Sequence, residues 1–417
     1  MRLTILPLIV SSIAVDTSAA EPAEFPQKQT VTYRQVGDLP IKADVYYFNN
    51  NKPRPAIVSL HGGALIMGNR KGISRPVREF ALTNGYVLVS FDYRLAPETK
   101  LPAIIDDIET AFKWLATEAA SQFNIDPNRI AVTGDSAGGY LTLVTGYRVK
   151  PRPRVLLSYF GYGDLISDWY STPSPHPRHN PRKITADEAW QQVKGPPVAD
   201  ASERKGDGGI FYNFCRQNGL WPKSVSDWDP HSQSEKFFPY MPVKNVTSEY
   251  PPTVLIHGTA DTDVPFEQSE LMAAEFKKQN IPFQFHRIVN AEHGLSGGDR
   301  AEIQKAERDA FASVNNISNP RPNHLMASDT FRAGDLTAVI GDNEPYEGHR
   351  AGYNGVHCLT HRTNSRSLFI GCRSVTRVVL CGASDLCQIV DFVAVKRLSI
   401  ESFWVAPTRL GIYPPDW

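Results

Sequence analysis

The chain has 417 residues, 41% of them hydrophobic, enough to build one large domain with additions and too little for three domains. Its 44 basic and 44 acidic residues cancel, so bulk charge points to neither nucleic acid nor an anionic membrane surface as a partner. Cys215 stands alone before a tail that carries Cys358, Cys372, Cys381 and Cys387, which excludes a disulfide framework for the main body.

Residues 1–20 have the layout of an export signal: Arg2 as a short positive start, a mostly apolar stretch to Val15, then the small residues Ser18-Ala19-Ala20. The mature chain is expected to start near Glu21 and to be secreted or periplasmic. That stretch is too short to span a bilayer, and no other segment reads as a stable membrane span. Residues 30–34 and 43–47 form a leading antiparallel pair. Beyond them, strand-length apolar runs at 56–60, 86–91, 130–133, 155–160, 253–257 and 283–289 alternate with helix-length segments at 77–84, 103–120, 138–147, 266–280 and 300–314. Such alternation builds a mostly parallel sheet with helices on both faces, and this order is that of an α/β-hydrolase, expected over residues 27–314.

Two regions break the alternation. Residues 161–252 are rich in Pro, Trp, Tyr and charge, and a structureless loop of that length is unusual, so they are expected to form an inserted cap over the catalytic edge. The aromatics there suit a small flat-walled pocket for short acyl esters, although any single one of them more often belongs to a cap's own core. After about residue 315 the stretch Asn319-Pro320-Arg321-Pro322-Asn323 reads as a linker, and the extension 315–417 has no assignable periodicity.

The chemistry gathers around Gly134-Asp135-Ser136-Ala137-Gly138-Gly139, which follows the apolar run Ile130-Ala131-Val132 and opens a helical segment. A serine on a sharp strand-to-helix turn projects its Oγ free of the sheet, and glycines two before and two after it leave room for that turn. Ser136 is therefore the candidate nucleophile. A serine hydroxyl needs a base, a group that orients the base, and donors for an oxyanion. His61-Gly62-Gly63-Ala64 directly follows the strand ending at Leu60, and its N–H groups, Gly62 and above all Gly63 and Ala64, would join that of Ala137 in an oxyanion hole. Downstream, Gly258-Thr259-Ala260-Asp261 follows one strand and Glu292-His293-Gly294 the next, giving the chain order Ser, Asp, His. His293 is the candidate base and Asp261 its orienting acid. Asp263 competes for that role, or else bonds the turn before Pro265. His61 and His257 read as structural residues at strand ends, and His231 and His286 have no motif around them.

These pieces, with Asp92-Tyr93-Arg94-Leu95-Ala96-Pro97 and Asp126-Pro127-Asn128-Arg129-Ile130, resemble the hormone-sensitive-lipase-like group of α/β-hydrolase esterases, including feruloyl and acetyl-xylan esterase relatives. The resemblance implies hydrolysis of small-molecule or carbohydrate esters with neither metal nor organic cofactor. It departs from the group at Ala64, where a third glycine is usual, and in having its cap inserted after the elbow instead of at the N-terminus. The tail's His357-Cys358, His361 and later cysteines lack paired zinc-ligand spacing. The sequons Asn245-Val246-Thr247 and Asn316-Ile317-Ser318 matter only in a host that glycosylates exported proteins. Two rivals stay open: a prolyl-oligopeptidase-like peptidase, against which stands the short upstream sequence, and a non-catalytic hydrolase fold used for binding, in which a triad member is typically lost.

Overall fold

A computed structural model describes residues 26–50 and 52–318, together with the backbone of five short strands further on. The expected export signal, residues 1–20, and the linker at 319–323 lie outside the described residues, as does most of the extension 315–417. By its internal contacts the chain divides into two units, Met1–Ser328 and Asp329–Trp417. In the second unit, Ala351–Tyr353 pairs antiparallel with Val356–Cys358, and Cys387–Asp391 lies between Arg377–Cys381 and Leu410–Ile412 in a three-stranded antiparallel sheet.

The first unit is built on eight strands: β1 (Gln27–Val36), β2 (Leu39–Tyr47), β3 (Arg54–Leu60), β4 (Val87–Phe91), β5 (Ile125–Asp135), β6 (Val155–Tyr159), β7 (Thr253–Gly258) and β8 (Phe283–Ile288). They lie in the order β1-β2-β4-β3-β5-β6-β7-β8; β1 and β2 run antiparallel and the rest are parallel. The parallel strands are near-continuous apolar runs because both faces are covered. Successive side chains alternate between two cores: Ala56 and Val58, Val87 and Val89, Ile130 and Val132 point one way, while Ile57, Leu88 and Ala131 point the other. Helices α2 (Leu101–Trp114), α3 (Ala137–Arg148) and α4 (Glu267–Lys278) fill the first core, with Ile104, Tyr140 and Met272 among their inward residues. Helices α1 (Arg75–Thr83) and α5 (Arg300–Ser318) fill the second through Val77, Ala81, Ala306 and Ala310. Pro76 and Pro102 open α1 and α2, where a missing N–H is harmless, and α4 begins with Glu267 and Glu270 and ends with Lys277 and Lys278, matching its dipole.

Several boundaries differ from the periodicity, two of them for clear local reasons. β5 starts at Ile125, five residues earlier than expected, because Ile125 pairs with Arg54 of β3 and the turn-like Asp126-Pro127-Asn128-Arg129 stretch is taken up in a register shift before Ile130 meets Ala56. The helix expected over 103–120 keeps α geometry only to Trp114 and then widens into a π turn over Leu115–Ala119.

The segment expected as a cap joins β6 to β7 through short helices, among them Ala186–Gln191, Gly209–Asn218 and Trp221–Ser226. Its large aromatics are largely its own packing: Tyr162, Tyr170 and Trp221 are fully buried, and Tyr170 stacks on Trp221 at 4.0 Å. They join the same core as α2 and α3, so the cap is continuous with the body. Cys215 is buried there as a free thiol, and burial pushes its pKa up to about 12. Among the described residues no helix is long and apolar enough to cross a membrane.

Candidate active site

Ser136 occupies the single residue between β5 and α3, at φ 53° and ψ −119°. A residue with a Cβ resists this backbone region, so the turn has to be imposed from outside. The adjoining strand and helix do so: the Ser136 N–H donates to Tyr159 O of β6 at 2.9 Å, and Tyr140 N–H of α3 donates to Ser136 O at 2.9 Å. Close approach makes glycine obligatory at 138, where a Cβ would lie 2.0 Å from the Leu60 carbonyl oxygen. The helix that follows the serine is thereby pressed against the end of β3.

The loops after β7 and β8 bring Asp261 and His293 together, with His293 Nδ1 2.7 Å from Asp261 Oδ2. The other Asp261 oxygen accepts N–H bonds from Asp263 and Val264, both at 2.9 Å. His257, buried at the end of β7, lies 3.3 Å from Asp261 Oδ2 through Nε2 and accepts or donates at Nδ1 with Ser269 Oγ at 2.8 Å. Burial works against the Asp261 charge, but the bonds from His257 and His293 outweigh it and hold the carboxyl at about 2. Burial likewise favours neutral His293, yet the Asp261 hydrogen bond and the Asp263 and Asp261 charges raise its pKa above the ordinary value. Phe160 meets the His293 ring edge-on at 4.8 Å, and its neighbour Tyr159 is the residue that receives the Ser136 N–H. Ser136, Asp261 and His293 thus stand at the carboxyl ends of β5, β7 and β8, on one edge of the sheet.

Asp263 does not serve the turn before Pro265, since it is Asp261 that bonds that turn. Its carboxylate receives Tyr212 Oη at 2.5 Å and His179 Nε2 at 2.9 Å, both from the cap, and its backbone oxygen receives Arg216 Nη1 at 3.0 Å. Its second oxygen lies 3.7 Å from His293 Nε2. Burial opposes its charge, but His179 and the neighbouring cations hold its pKa far below the usual range.

The His61-Gly62-Gly63-Ala64 loop follows β3 with φ 106° at Gly63, 56° at Ala64 and 62° at Leu65. The Asp92-Tyr93-Arg94-Leu95-Ala96-Pro97 stretch supports it: Tyr93 Oη donates to His61 O at 2.9 Å, Ala96 N–H to Leu65 O at 2.8 Å, and Asp92 accepts Arg70 N–H at 2.7 Å. His61 is sealed against Tyr93, ring on ring at 4.2 Å, and burial lowers its pKa to about 4. While the loop's carbonyls are occupied, the Gly63 and Ala64 N–H groups have no acceptor among the described residues.

A family model described as alpha/beta hydrolase fold matches residues 57–296, more than half of the chain. The chain belongs to the α/β-hydrolase family. A non-reducing polyketide synthase of Preussia isomera is 26% identical over 303 residues, 64% of this chain but only 14% of the synthase, so the hydrolase spans a small fraction of such relatives. A protein of unknown function from Staphylococcus aureus superposes with a TM-score of 0.55 at 22% identity, over 70% of this hydrolase and 99% of that chain. An acetyl ester-xyloside bifunctional hydrolase from Caldicellulosiruptor lactoaceticus gives 0.51 at 20% identity, over 70% and 97%.

The hydrolase also uses residues that no motif marks. His179, Tyr212 and Arg216 tie the cap to the acid loop, Arg178 Nη1 holds Glu292 at 2.9 Å, and Glu292 accepts the His293 N–H at 2.9 Å. Trp221 Nε1 donates to the Ala64 carbonyl at 2.9 Å, and Arg204 donates to that of Ile66. Apart from the adjacent Glu292 and His293, each partner is far away in the chain, so local spacing carries no sign of it.

Proposed function

We propose that this α/β-hydrolase is a serine carboxylic-ester hydrolase acting on short acyl esters, with acetyl or feruloyl groups on carbohydrates as candidate substrates. The observation that supports it best is the 2.7 Å contact of His293 with Asp261 at the same end of the sheet as a serine held at positive φ on a strand-to-helix turn. In this reading Ser136 Oγ attacks the ester carbonyl carbon as His293 Nε2 takes the hydroxyl proton. Asp261 accepts the Nδ1–H, which leaves Nε2 as the basic nitrogen and stabilises the imidazolium. The N–H groups of Gly63, Ala64 and Ala137, with Gly62 in the same loop, receive the carbonyl oxygen as it becomes negative. Collapse of the tetrahedral intermediate breaks the ester C–O bond, and the departing alkoxide takes the proton from His293. Water then repeats the sequence on the acyl-serine, with His293 as base, and releases the acid.

The short-acyl part of the reading draws on the cap. Its interior is made of rigid rings, Tyr162, Tyr170 and Trp221, packed behind the oxyanion loop, and not of long Leu- and Ile-rich faces that suit an oil surface. A fold neighbour named as an acetyl ester hydrolase is consistent with it. The test is kcat/KM on p-nitrophenyl esters from acetate to palmitate, beside an aminoacyl p-nitroanilide. The expected profile peaks at two to four carbons, with the anilide poorly cleaved. Each methylene accepted by a fitting pocket contributes about 0.8 kcal/mol, so a long acyl site would be plain in the series. A profile rising toward palmitate overturns the short-acyl reading, and preference for the anilide favours a peptidase.

A further inference from the structure

The oxyanion loop carries three successive left-handed residues, Gly63, Ala64 and Leu65, two of which have side chains that disfavour that backbone. Its carbonyls show what holds it. Gly63 O is taken within the loop by the N–H groups of Ile66 (2.8 Å) and Met67 (2.7 Å), and Leu65 O by Ala96 N–H (2.8 Å). The carbonyl between them, Ala64 O, is met at 2.9 Å by the indole Nε1–H of Trp221, which opens the cap helix Trp221–Ser226.

Trp221 is well placed to act as a fixed donor. It has no solvent exposure, Tyr170 stacks on its indole with the planes 15° apart, and Tyr162 meets it edge-on at 6.1 Å. Its helix is pinned to the start of α2, where Lys100 Nζ donates to Ser224 O at 3.1 Å and pairs with Asp227 at 2.7 Å. A ring so confined cannot swing to another acceptor, and its burial shields the bond from bulk solvent.

We propose that Trp221 is a positioning residue for catalysis: its indole N–H locks the Ala64 carbonyl and thereby aims the Gly63 and Ala64 N–H groups at the oxyanion. The cap then completes the catalytic machinery as well as covering it. The proposal rests on the ester-hydrolase reading above. Preorganised donors matter because they spend no reorganisation at the moment charge develops, so loosening this loop should cost turnover more than ground-state binding.

Trp221→Phe removes the N–H and keeps an aromatic ring; β-(3-benzothienyl)alanine at 221 replaces N–H by sulfur at nearly unchanged shape. With p-nitrophenyl acetate as substrate, both variants should keep the wild-type Tm within a few degrees and KM within about twofold, while kcat falls about tenfold to a hundredfold. A trifluoromethyl ketone inhibitor, whose hemiketal oxyanion occupies the same donors, should lose affinity by a similar factor. Wild-type kcat and inhibitor affinity in a folded variant overturn the proposal. Unfolding of both variants also overturns it, since Trp221 then serves packing. A wild-type protein that neither hydrolyses the ester nor binds the ketone sinks the ester-hydrolase reading itself, and the role of Trp221 with it.

Discussion

Asp261 and Asp263 sit two residues apart on one loop, yet different neighbours hold them: Asp261 faces His293 Nδ1 at 2.7 Å, whereas Asp263 binds cap side chains and lies 3.7 Å from Nε2. Asp261→Asn should lower turnover about 10⁴-fold by favouring the wrong imidazole tautomer, and Asp263→Asn should cost far less. Both also bear on the pH dependence. As the proposed base His293 must be neutral to accept a proton, so kcat/KM should fall as pH drops through its pKa, which the Asp261 bond and the Asp263 charge hold above the ordinary value of about 6.5. Removing the Asp263 charge withdraws support from the imidazolium, and the acid limb should move to lower pH in Asp263→Asn. A pH profile on p-nitrophenyl acetate reads both effects; reversed magnitudes would transfer the orienting role to Asp263, and a limb that moves upward would contradict the support that the Asp263 charge gives the imidazolium.

At the scale of elements, the elbow is the best-determined piece because its requirements are local. Gly138 sits where β3 and α3 nearly touch, and Gly138→Ala should destabilise the fold by about 2–4 kcal/mol in urea unfolding, since the Cβ must push backbone aside. A variant as stable as the wild type would show that the strand and helix can part cheaply. The serine turn, the His61-Gly62-Gly63-Ala64 loop and the loops carrying Asp261 and His293 could be placed from the sequence for the same reason: each lies within a few residues of a strand end that the apolar runs already mark. The cap contacts were not. Trp221 and Ala64 are 157 residues apart, and Tyr212 and Asp263 are 51 apart, so composition revealed an aromatic cap without revealing which rings it spends on its own core. The reading of Asp263 as a turn residue failed likewise, because its partners come from a separate element.

Across the whole molecule, alternation of strand and helix sufficed for the parallel part of the sheet and its two cores, since strands covered on both faces advertise themselves as continuous apolar runs. The leading pair was legible only in part: β1 runs from Gln27 because its exposed edge positions carry polar side chains, and β2 runs from Leu39, where its first residues pair with β1 alone. What unites the sheet, loops and cap is one proposed nucleophile at the carboxyl edge of β5. The most direct measurement is covalent labelling of wild type and Ser136→Ala by a fluorophosphonate probe, read by intact mass together with p-nitrophenyl acetate turnover. The account predicts one adduct and turnover for the wild type, and for a Ser136→Ala protein of unchanged Tm neither an adduct nor turnover above the residual rate that oxyanion binding alone sustains. An adduct on the Ala variant, or an active variant, would contradict it.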